Sequence, residues 1–398
     1  MKSPHHLRVA LVGAGAAGQA HAFGFRNVSM AAGLDEVTID LAVVVDPNLD
    51  LARKTAARYG YGAVTDDLDS VLADPTIDAI SLALPNNLHT RILPAVLRSG
   101  KHVFAEKPIG TGSEEAEELV ALATASVAVT GVGFSFRRLP GLAAVHDLVG
   151  EGRIGAVRSF TAWYNADYAA LPDAPFSWRF AKDTAGAGAL IDIGTHAIDA
   201  VQYVAGPIRR VLSSTLRTAI TERPVPGTDG ETAVVDTDDI ALLTVELDNG
   251  AVGQIHVNRI AAGLPNSLGI EVHGATGHAR FDSIAGGEFH VYTGGTGTLD
   301  GPRRVFTGPQ HPYFTDVAAM PGGGVGTGYA EAFVAEIQHF VRCILTGTAM
   351  DTDFPSAYRV MLTVDAAQLS AVSGTAVDVD DVPSLRHQLR SGATPVPA

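Results

Sequence analysis

The chain runs to 398 residues, 46% hydrophobic and 18% charged, a balance that sets aside disordered and fibrous classes and at this length calls for two domains. Its 43 acidic against 28 basic residues leave a formal charge of −15, so a polyanionic partner such as nucleic acid would be repelled. The single cysteine, Cys343, allows neither an internal disulfide nor a cysteine-built metal centre, and no metal site is expected.

LRVALVG, residues 7–13, is a short run rich in Val and Leu, as suits a strand buried in a parallel sheet. It leads directly into GAGAAG, where Gly13, Gly15 and Gly18 fit G-x-G-x-x-G around Ala16 and Ala17, and QAHAFGFRNV continues as a helix. Such a turn lets backbone amides and a helix N-terminus meet a pyrophosphate. Glycine-rich turns are common, and it is the strand–turn–helix setting that gives this one its dinucleotide reading. The preceding MKSPHHLRVA lacks the apolar core of a secretion signal. No apolar run approaches the roughly 20 residues that cross a bilayer. A cytoplasmic location without a membrane partner is therefore expected.

The second strand, IDLAVVVD (39–46), ends in Asp46, somewhat farther past the glycines than the roughly 20 residues usual for this fingerprint. An acid there would accept hydrogen bonds from the adenosine ribose and repel a 2′-phosphate, favouring NAD over NADP. The competing reading of Asp46 is a helix start at D-P-N. Helices NLDLARKTAARYG and TDDLDSVLAD, strand IDAISLAL, helix LHTRILPAVLRSG, strand KHVFA, helix SEEAEELVALAT and strand ASVAVTGVGF continue the alternation. Such a succession specifies a doubly wound parallel sheet, whose ligands sit off the carboxyl ends of its strands. ALPNNLH and FAEKPIG fall at two such ends. In the latter, Lys107 stands between Glu106 and Pro108, held extended and able to polarise a substrate oxygen. A surface Lys–Glu pair beside a turn is the alternative.

From about residue 150 the pattern becomes strand-like alternation with DNG and HGATG turns, which reads as an α+β domain with a large, open, mostly antiparallel sheet. One face of such a sheet commonly contacts another copy, so a homodimer or homotetramer is expected. GAGALIDIGTHAIDAVQYVAG (186–206) sets Asp192, His196 and Asp199 at i, i+4 and i+7, one face of a helix if the run is continuous. The trio reads as a metal site lacking a third strong ligand, as a satisfied core histidine, or as an acid–base pair. Tyr164, Asp167, Tyr168, Trp178 and Arg179 are candidates to line a sugar pocket, while His273 and His278 read as structural. PGGGVGTG (321–328) lacks a phosphate loop's ending and reads as a flexible loop, beside His311, Tyr313 and Tyr329. AEAFVAEIQHFVRCILTG and YRVMLTVDAAQLSAV read as late helices packing back on the body, and the polar tail SLRHQLRSGATPVPA is expected to fray.

Taken together, GAGAAG, PNNLH, GKHVFAEKP and SWRF…GAGALIDIGTHAID resemble the Gfo/Idh/MocA family of oxidoreductases over residues 7 to about 206. The segments FSWRFAKDTAGAGAL, ITERPVP, VDTDD, TGPQHPY and GTGYAE are most similar to its levoglucosan dehydrogenase branch. Gly-Ala-Gly at 186–188 departs from the three glycines of many members. The resemblance implies domains at 1–135 (NAD(P)-binding Rossmann) and 136–380 (substrate and oligomer contacts), with a tail at 381–398. It implies catalysis by Lys107, Asp192 and His196 in one cleft. It implies cofactor contacts from Gly13, Gly15, Ala16, Ala17, Gly18, Asp46, Pro85, Asn86, His89, Glu106, Lys107 and Arg137. The activity implied is hydride transfer between a secondary alcohol, C3 of a pyranose, anhydrosugar, glycoside or cyclitol, and nicotinamide. Two alternatives stay open: a glycosidase that oxidises C3 transiently with bound NAD, and a non-catalytic cofactor-binding sensor.

Overall fold

The computed structural model describes residues 6–390 apart from 296, 297, 299 and 321. Strand β1 (His6–Val12) is solvent-free from Val9 to Leu11 because it is flanked on both sides. It pairs in parallel with β2 (Thr38–Val45) and with β4 (Ala79–Leu82). Between them run α1 (Ala16–Arg26), α2 (Leu49–Tyr59), β3 (Ala63–Thr65) and α3 (Leu68–Ala73). After β4 come α4 (Asn86–Arg98), β5 (His102–Glu106), α5 (Ser113–Ala125) and β6 (Thr130–Gly133). The strand order β3-β2-β1-β4-β5-β6 reverses direction between β1 and β4, the switch point at which such sheets bind ligands. Short β3 is absent from the sequence reading, and α4 starts at Asn86, so PNN opens the helix rather than preceding it.

Helix α6 (Pro140–Gly150) leads to β7 (Val157–Asn165), the middle strand of a second sheet. Short α7 (Lys182–Ala185) and α8 (Ala189–Asp192) are followed by α9 (Gly194–Val204). Then come β8 (Ile208–Arg217), the two-stranded ribbon β9 (Glu222–Pro224) and β10 (Thr232–Val234), and β11 (Ile240–Leu247). β12 (Val252–Asn258), β13 (Ser267–Gly274), β14 (His278–Asp282), β15 (Glu288–Tyr292) and β16 (Arg303–Phe306) complete the run. The sheet order is β16-β15-β14-β13-β7-β12-β11-β8, and β7 with β12 is the parallel pair that makes it mixed. Alternation sets the faces: Ala241, Leu243, Val245 and Leu247 are buried, while Leu242 between them is 47% exposed. Helix α9 lies on the buried face, where a Cβ on Gly194 would lie 3.4 Å from Val257.

The chain divides into two compact units. The first holds residues up to Gly110, Ala116–Pro140 and Gly308–Tyr358; the second holds Thr111–Glu115, Gly141–Thr307 and the chain from Arg359 onward. Helices α10 (Phe314–Val317) and α11 (Tyr329–Thr346) thus pack with the parallel sheet, where the sequence reading had put residues 136–380 in one later domain. The reason is apolar: Ile337, Phe340, Val341 and Cys343 of α11 join Leu11, Phe25 and Phe104 in one core. Among the described residues no helix is long and apolar enough to cross a membrane.

Helix α12 (Phe354–Ser373) is followed by β17 (Val377–Asp378), an edge strand beside β8, and α13 (Val382–Arg390). The tail, read as fraying from Ser384, is helical through Arg390; residues 391–398 lie outside the described residues. Arg386 holds α13 in place, its guanidinium 2.6 Å from Asp365 and donating to the Gln368 side-chain Oε1 at 3.0 Å. Asp365 is fully buried and also accepts from Ser113 N–H at 2.9 Å and Ser113 Oγ–H at 2.5 Å. Losing the arginine leaves a buried carboxylate without its counter-ion. Arg386→Ala should lower unfolding stability by about 3 kcal/mol in a denaturation series. Asp365→Asn in the same chain should recover part of that loss.

Candidate active site

The glycine loop is shaped by steric necessity. Gly13 has φ +94, and a Cβ on it would lie 2.1 Å from the Ala83 carbonyl oxygen; one on Gly18 would lie 1.9 Å from that of Gly13. Gly15 is different, since a Cβ there would meet nothing within 4 Å. Gly15 and Ala16 are exposed, Ala17 is half-buried, and the N-cap of α1 makes no side-chain hydrogen bond. The loop therefore presents open space over a helix N-terminus whose amides remain available to an anion. Asp46 borders it. One carboxylate oxygen accepts from Ala14 N–H at 2.8 Å, the other from Asn48 N–H at 2.8 Å. The cap of α2 is Asn48, which accepts from Leu51 N–H, so the helix-start reading of D-P-N belongs to Asn48 and not to Asp46. Open loop, helix terminus and bordering acid together fit a dinucleotide.

The ends of β4 and β5 are tied by His89, which has no solvent exposure. Its Nδ1 lies 2.7 Å from the Pro108 carbonyl oxygen, and its Nε2 accepts from Leu84 N–H at 3.2 Å. A carbonyl can only accept, so Nδ1 carries the proton and the ring is neutral. Burial lowers its pKa to about 4. Both nitrogens serve the main chain, a role distinct from the cofactor contact implied for His89. Pro85 is the N-cap of α4, and Asn86 begins that helix almost wholly buried.

Glu106 is likewise buried, and one of its oxygens accepts from Lys107 N–H at 3.1 Å. The other lies 3.1 Å from Nε2 of His21, a fully buried ring whose Nδ1 is 2.8 Å from Ser81 Oγ. With Glu106 as a carboxylate, which only accepts, the chain of protons runs from Ser81 to His21 to Glu106. The half-buried Lys107 is followed by a cis peptide bond to Pro108. Arg137 donates from Nη1 to the Asp351 carbonyl oxygen at 3.1 Å and packs over Phe134.

In the second unit the 186–206 run is not one helix. Asp192 ends α8, Ile193 intervenes, and α9 begins at Gly194, so Asp192 does not share a continuous helix face with His196 and Asp199. Helix α8 is pinned at its start. The Asp238 carboxylate accepts from Gly188 N–H at 2.7 Å and Leu190 N–H at 2.8 Å. A Cβ on Gly188 would stand 1.8 Å from the Asp238 carbonyl oxygen, which is why glycine is needed there. Burial raises the pKa of Asp238, although these amide donors oppose the shift.

Asp192 opens into a pocket of about 320 Å³ whose lining includes Tyr168, Pro175, Arg179 and Phe180. One Asp192 oxygen accepts from Tyr168 Oη–H at 2.6 Å and Arg179 Nε–H at 3.2 Å. Burial around its hydroxyl and the neighbouring Asp192 charge hold the Tyr168 pKa well above the ordinary phenol value, so it stays a donor although the residue is 44% exposed. The Arg179 guanidinium lies over the Trp178 ring, 4.4 Å from its centroid. His196 is 5% exposed, its ring 5.9 Å from that of Tyr164, whose hydroxyl donates to Asn266 Oδ1 at 2.5 Å. Asp167 contributes its carbonyl to Ala170 N–H at 2.9 Å.

Residues 7–134 match the family described as "Oxidoreductase family, NAD-binding Rossmann fold", and residues 142–280 match the GFO/IDH/MocA C-terminal domain. The chain belongs to the Gfo/Idh/MocA family. Among its Gfo/Idh/MocA relatives, levoglucosan dehydrogenase of Pseudarthrobacter phenanthrenivorans is 34% identical over 389 residues, 95% of this chain and 99% of that protein. The scyllo-inositol 2-dehydrogenase (NAD(+)) of Bacillus subtilis is 25% identical over 382 residues, 94% of this chain and 97% of that protein. A levoglucosan dehydrogenase solved in complex with NADH and L-sorbose superposes with TM-score 0.90 at 34% identity, covering 94% of this chain and 99% of the other. The Gfo/Idh/MocA family is one of NAD-dependent sugar and cyclitol oxidoreductases, and this chain is an oxidoreductase.

The structure brings Asp192 together with Tyr168 and Arg179, Asp46 with the glycine loop, and Glu106 with the Lys107 amide. Sequence reasoning missed Pro175 and Phe180 in the pocket, and the partners His21, Ser81 and Asp238. A polar signal existed for two of these, a histidine within an apolar helix and tandem acids opening a strand.

Two outcomes are expected. Gly15→Ala should fold with unchanged thermal stability yet bind NADH more weakly by fluorescence titration, whereas Gly18→Ala should lose stability as well. For His89 the folded pKa of about 4 lies below the unfolded value of 6.5, so the unfolded chain binds more protons between them. Its contribution is then intact above the unfolded value and lost as pH falls towards 4, about 3 kcal/mol in all. The His89 imidazole resonances should accordingly show no titration near pH 6.5 in proton NMR.

Proposed function

We propose that the protein is an NAD-dependent dehydrogenase of a neutral sugar or cyclitol, oxidising a secondary alcohol. The observation that carries this reading is the Asp192 pocket. An acid fixed by two donors, beside a guanidinium stacked on an indole, offers both acceptors and donors to a polyhydroxyl ring. Similarity to levoglucosan dehydrogenase favours a pyranose or anhydrosugar; the carbon we propose is oxidised is C3. Asp46 at the end of β2 favours NAD over NADP, since its carboxylate would repel a 2′-phosphate.

Gly13, Gly15, Gly18 and the N-terminus of α1 would hold the pyrophosphate, with Asp46 on the ribose side. The bound nucleotide supplies the hydride acceptor. His196 takes the proton from the sugar hydroxyl as the carbon is oxidised. Lys107 is assigned to stabilising charge that develops on the substrate. Asp192 anchors a neighbouring hydroxyl, which aligns the ring for reaction. Asp199, buried one turn beyond His196, is assigned to structure. The sheet face that exposes Leu242 and Val252 supports assembly as a homodimer or homotetramer.

The decisive experiment follows NADH absorbance while the purified protein is offered NAD or NADP and a panel of neutral sugars, anhydrosugars, glycosides and inositols. Steady NADH formation with one class is expected, and less with NADP. Glycoside cleavage with no net NADH would overturn the dehydrogenase reading. His196→Asn should lower kcat by about 10²–10⁴ while NADH affinity stays at the wild-type value.

A further inference from the structure

Behind the Asp192 pocket lies a pair of charges with no contact with water. Asp239 and Arg259 are both fully buried, Nε to Oδ1 at 2.9 Å. Asp239 uses its other oxygen to accept from Ala219 and Ile220 N–H at 2.8 and 2.9 Å. Arg259 then has two amino groups to spend. One donates to Thr237 Oγ1 at 3.0 Å, the other to the Arg179 carbonyl oxygen at 3.2 Å. Thr237 closes the loop by donating its own hydroxyl to that same carbonyl at 3.2 Å. Two donors thus converge on one peptide oxygen, the one belonging to the residue whose side chain reaches Asp192.

A second buried arginine holds the segment that carries Tyr168. Arg223, also fully buried, donates to the carbonyl oxygens of Leu171 and Ala169 at 2.8 and 2.6 Å. Both carbonyls follow closely on Tyr168, the other donor to Asp192. The guanidinium carbons of Arg223 and Arg259 lie over the Phe180 ring, 4.2 and 4.8 Å from its centroid. A buried ion pair is a weak source of net stability, because desolvation offsets its attraction. Its geometric effect is definite: it removes the freedom of the Arg179 peptide.

We infer that Thr237, backed by the Asp239–Arg259 pair, is a positioning residue that sets the Arg179 side chain against Asp192 and so fixes how the pocket receives its substrate. The kinetic consequence rests on the sugar dehydrogenase reading above; the structural part rests on the hydrogen bonds alone. Thr237 is buried and does not line the Asp192 pocket, and its hydroxyl acts through Arg179.

Thr237→Val removes the hydroxyl and keeps the shape. It should lower kcat/KM for the sugar about tenfold, chiefly through KM, as one lost hydrogen bond allows, with NADH affinity unchanged. Thr237→Ser should restore most of the loss. In an Arg179→Gln background, Thr237→Val should add less than about a twofold further effect, because its route is already cut. Wild-type kcat and KM in Thr237→Val at a lower melting temperature, or effects that simply multiply, would overturn the inference. A wild-type enzyme that turns over no sugar sinks the dehydrogenase reading instead, and a second readout then decides. With Trp163→Phe leaving Trp178 as the remaining tryptophan, Thr237→Val should shift its emission, since the Arg179 guanidinium stacks on it. Unchanged emission overturns the brace whatever the substrate.

Discussion

A carboxylate taken out of water must find donors, and the functional regions of this chain are organised around that demand. Asp46 finds them in the glycine loop and at the start of α2, Asp238 at the start of α8, and Asp239 in two amides and an arginine. Apart from the Asp239–Arg259 pair, each bond joins a carboxylate to a main-chain amide. The acids therefore do two things at once. They satisfy their own charge, and they fix the ends of the strands and helices from which the candidate site residues project.

The two units solve the problem in different ways. In the parallel sheet the strands end together, and short ties such as His89 between Leu84 and Pro108 hold neighbouring ends in register. In the mixed sheet the pocket lies on irregular chain between β7 and α8, where no ladder supplies order. The buried arginines Arg223 and Arg259 take over that task by reaching the carbonyls of Leu171, Ala169 and Arg179. An arginine suits this because its planar fork offers several donors in fixed directions.

Much of the first unit was legible in the sequence because its signals are local. A Val-rich strand running into Gly13, Gly15 and Gly18 needs no distant partner to be read, and Asp46 follows from the end of the next strand. The open sheet was legible through alternation, as in Leu242 facing out between buried Ala241 and Leu243. Where order comes from contacts far along the chain, the reading ran out. The spacing of Asp192 and His196 suggested one helix, but Ile193 interrupts it, and Asp238 pins the first piece. VDTDD stood out as a similarity without any visible task, because its partners include residues as far apart as 179, 188, 190, 219 and 259. Helix α11 carries ordinary amphipathic spacing that does not reveal which core it completes.

That helix bears on how the protein can be taken apart. Ile337, Phe340, Val341, Cys343 and Met350 complete a core otherwise built from residues of the first 130 or so positions. A gene fragment ending near residue 135 would encode every strand of the parallel sheet and still leave Phe25 and Phe104 facing solvent. The nucleotide-binding half is thus not a portable module in this chain, and domain grafting or truncation would have to carry residues 308–358 along with it.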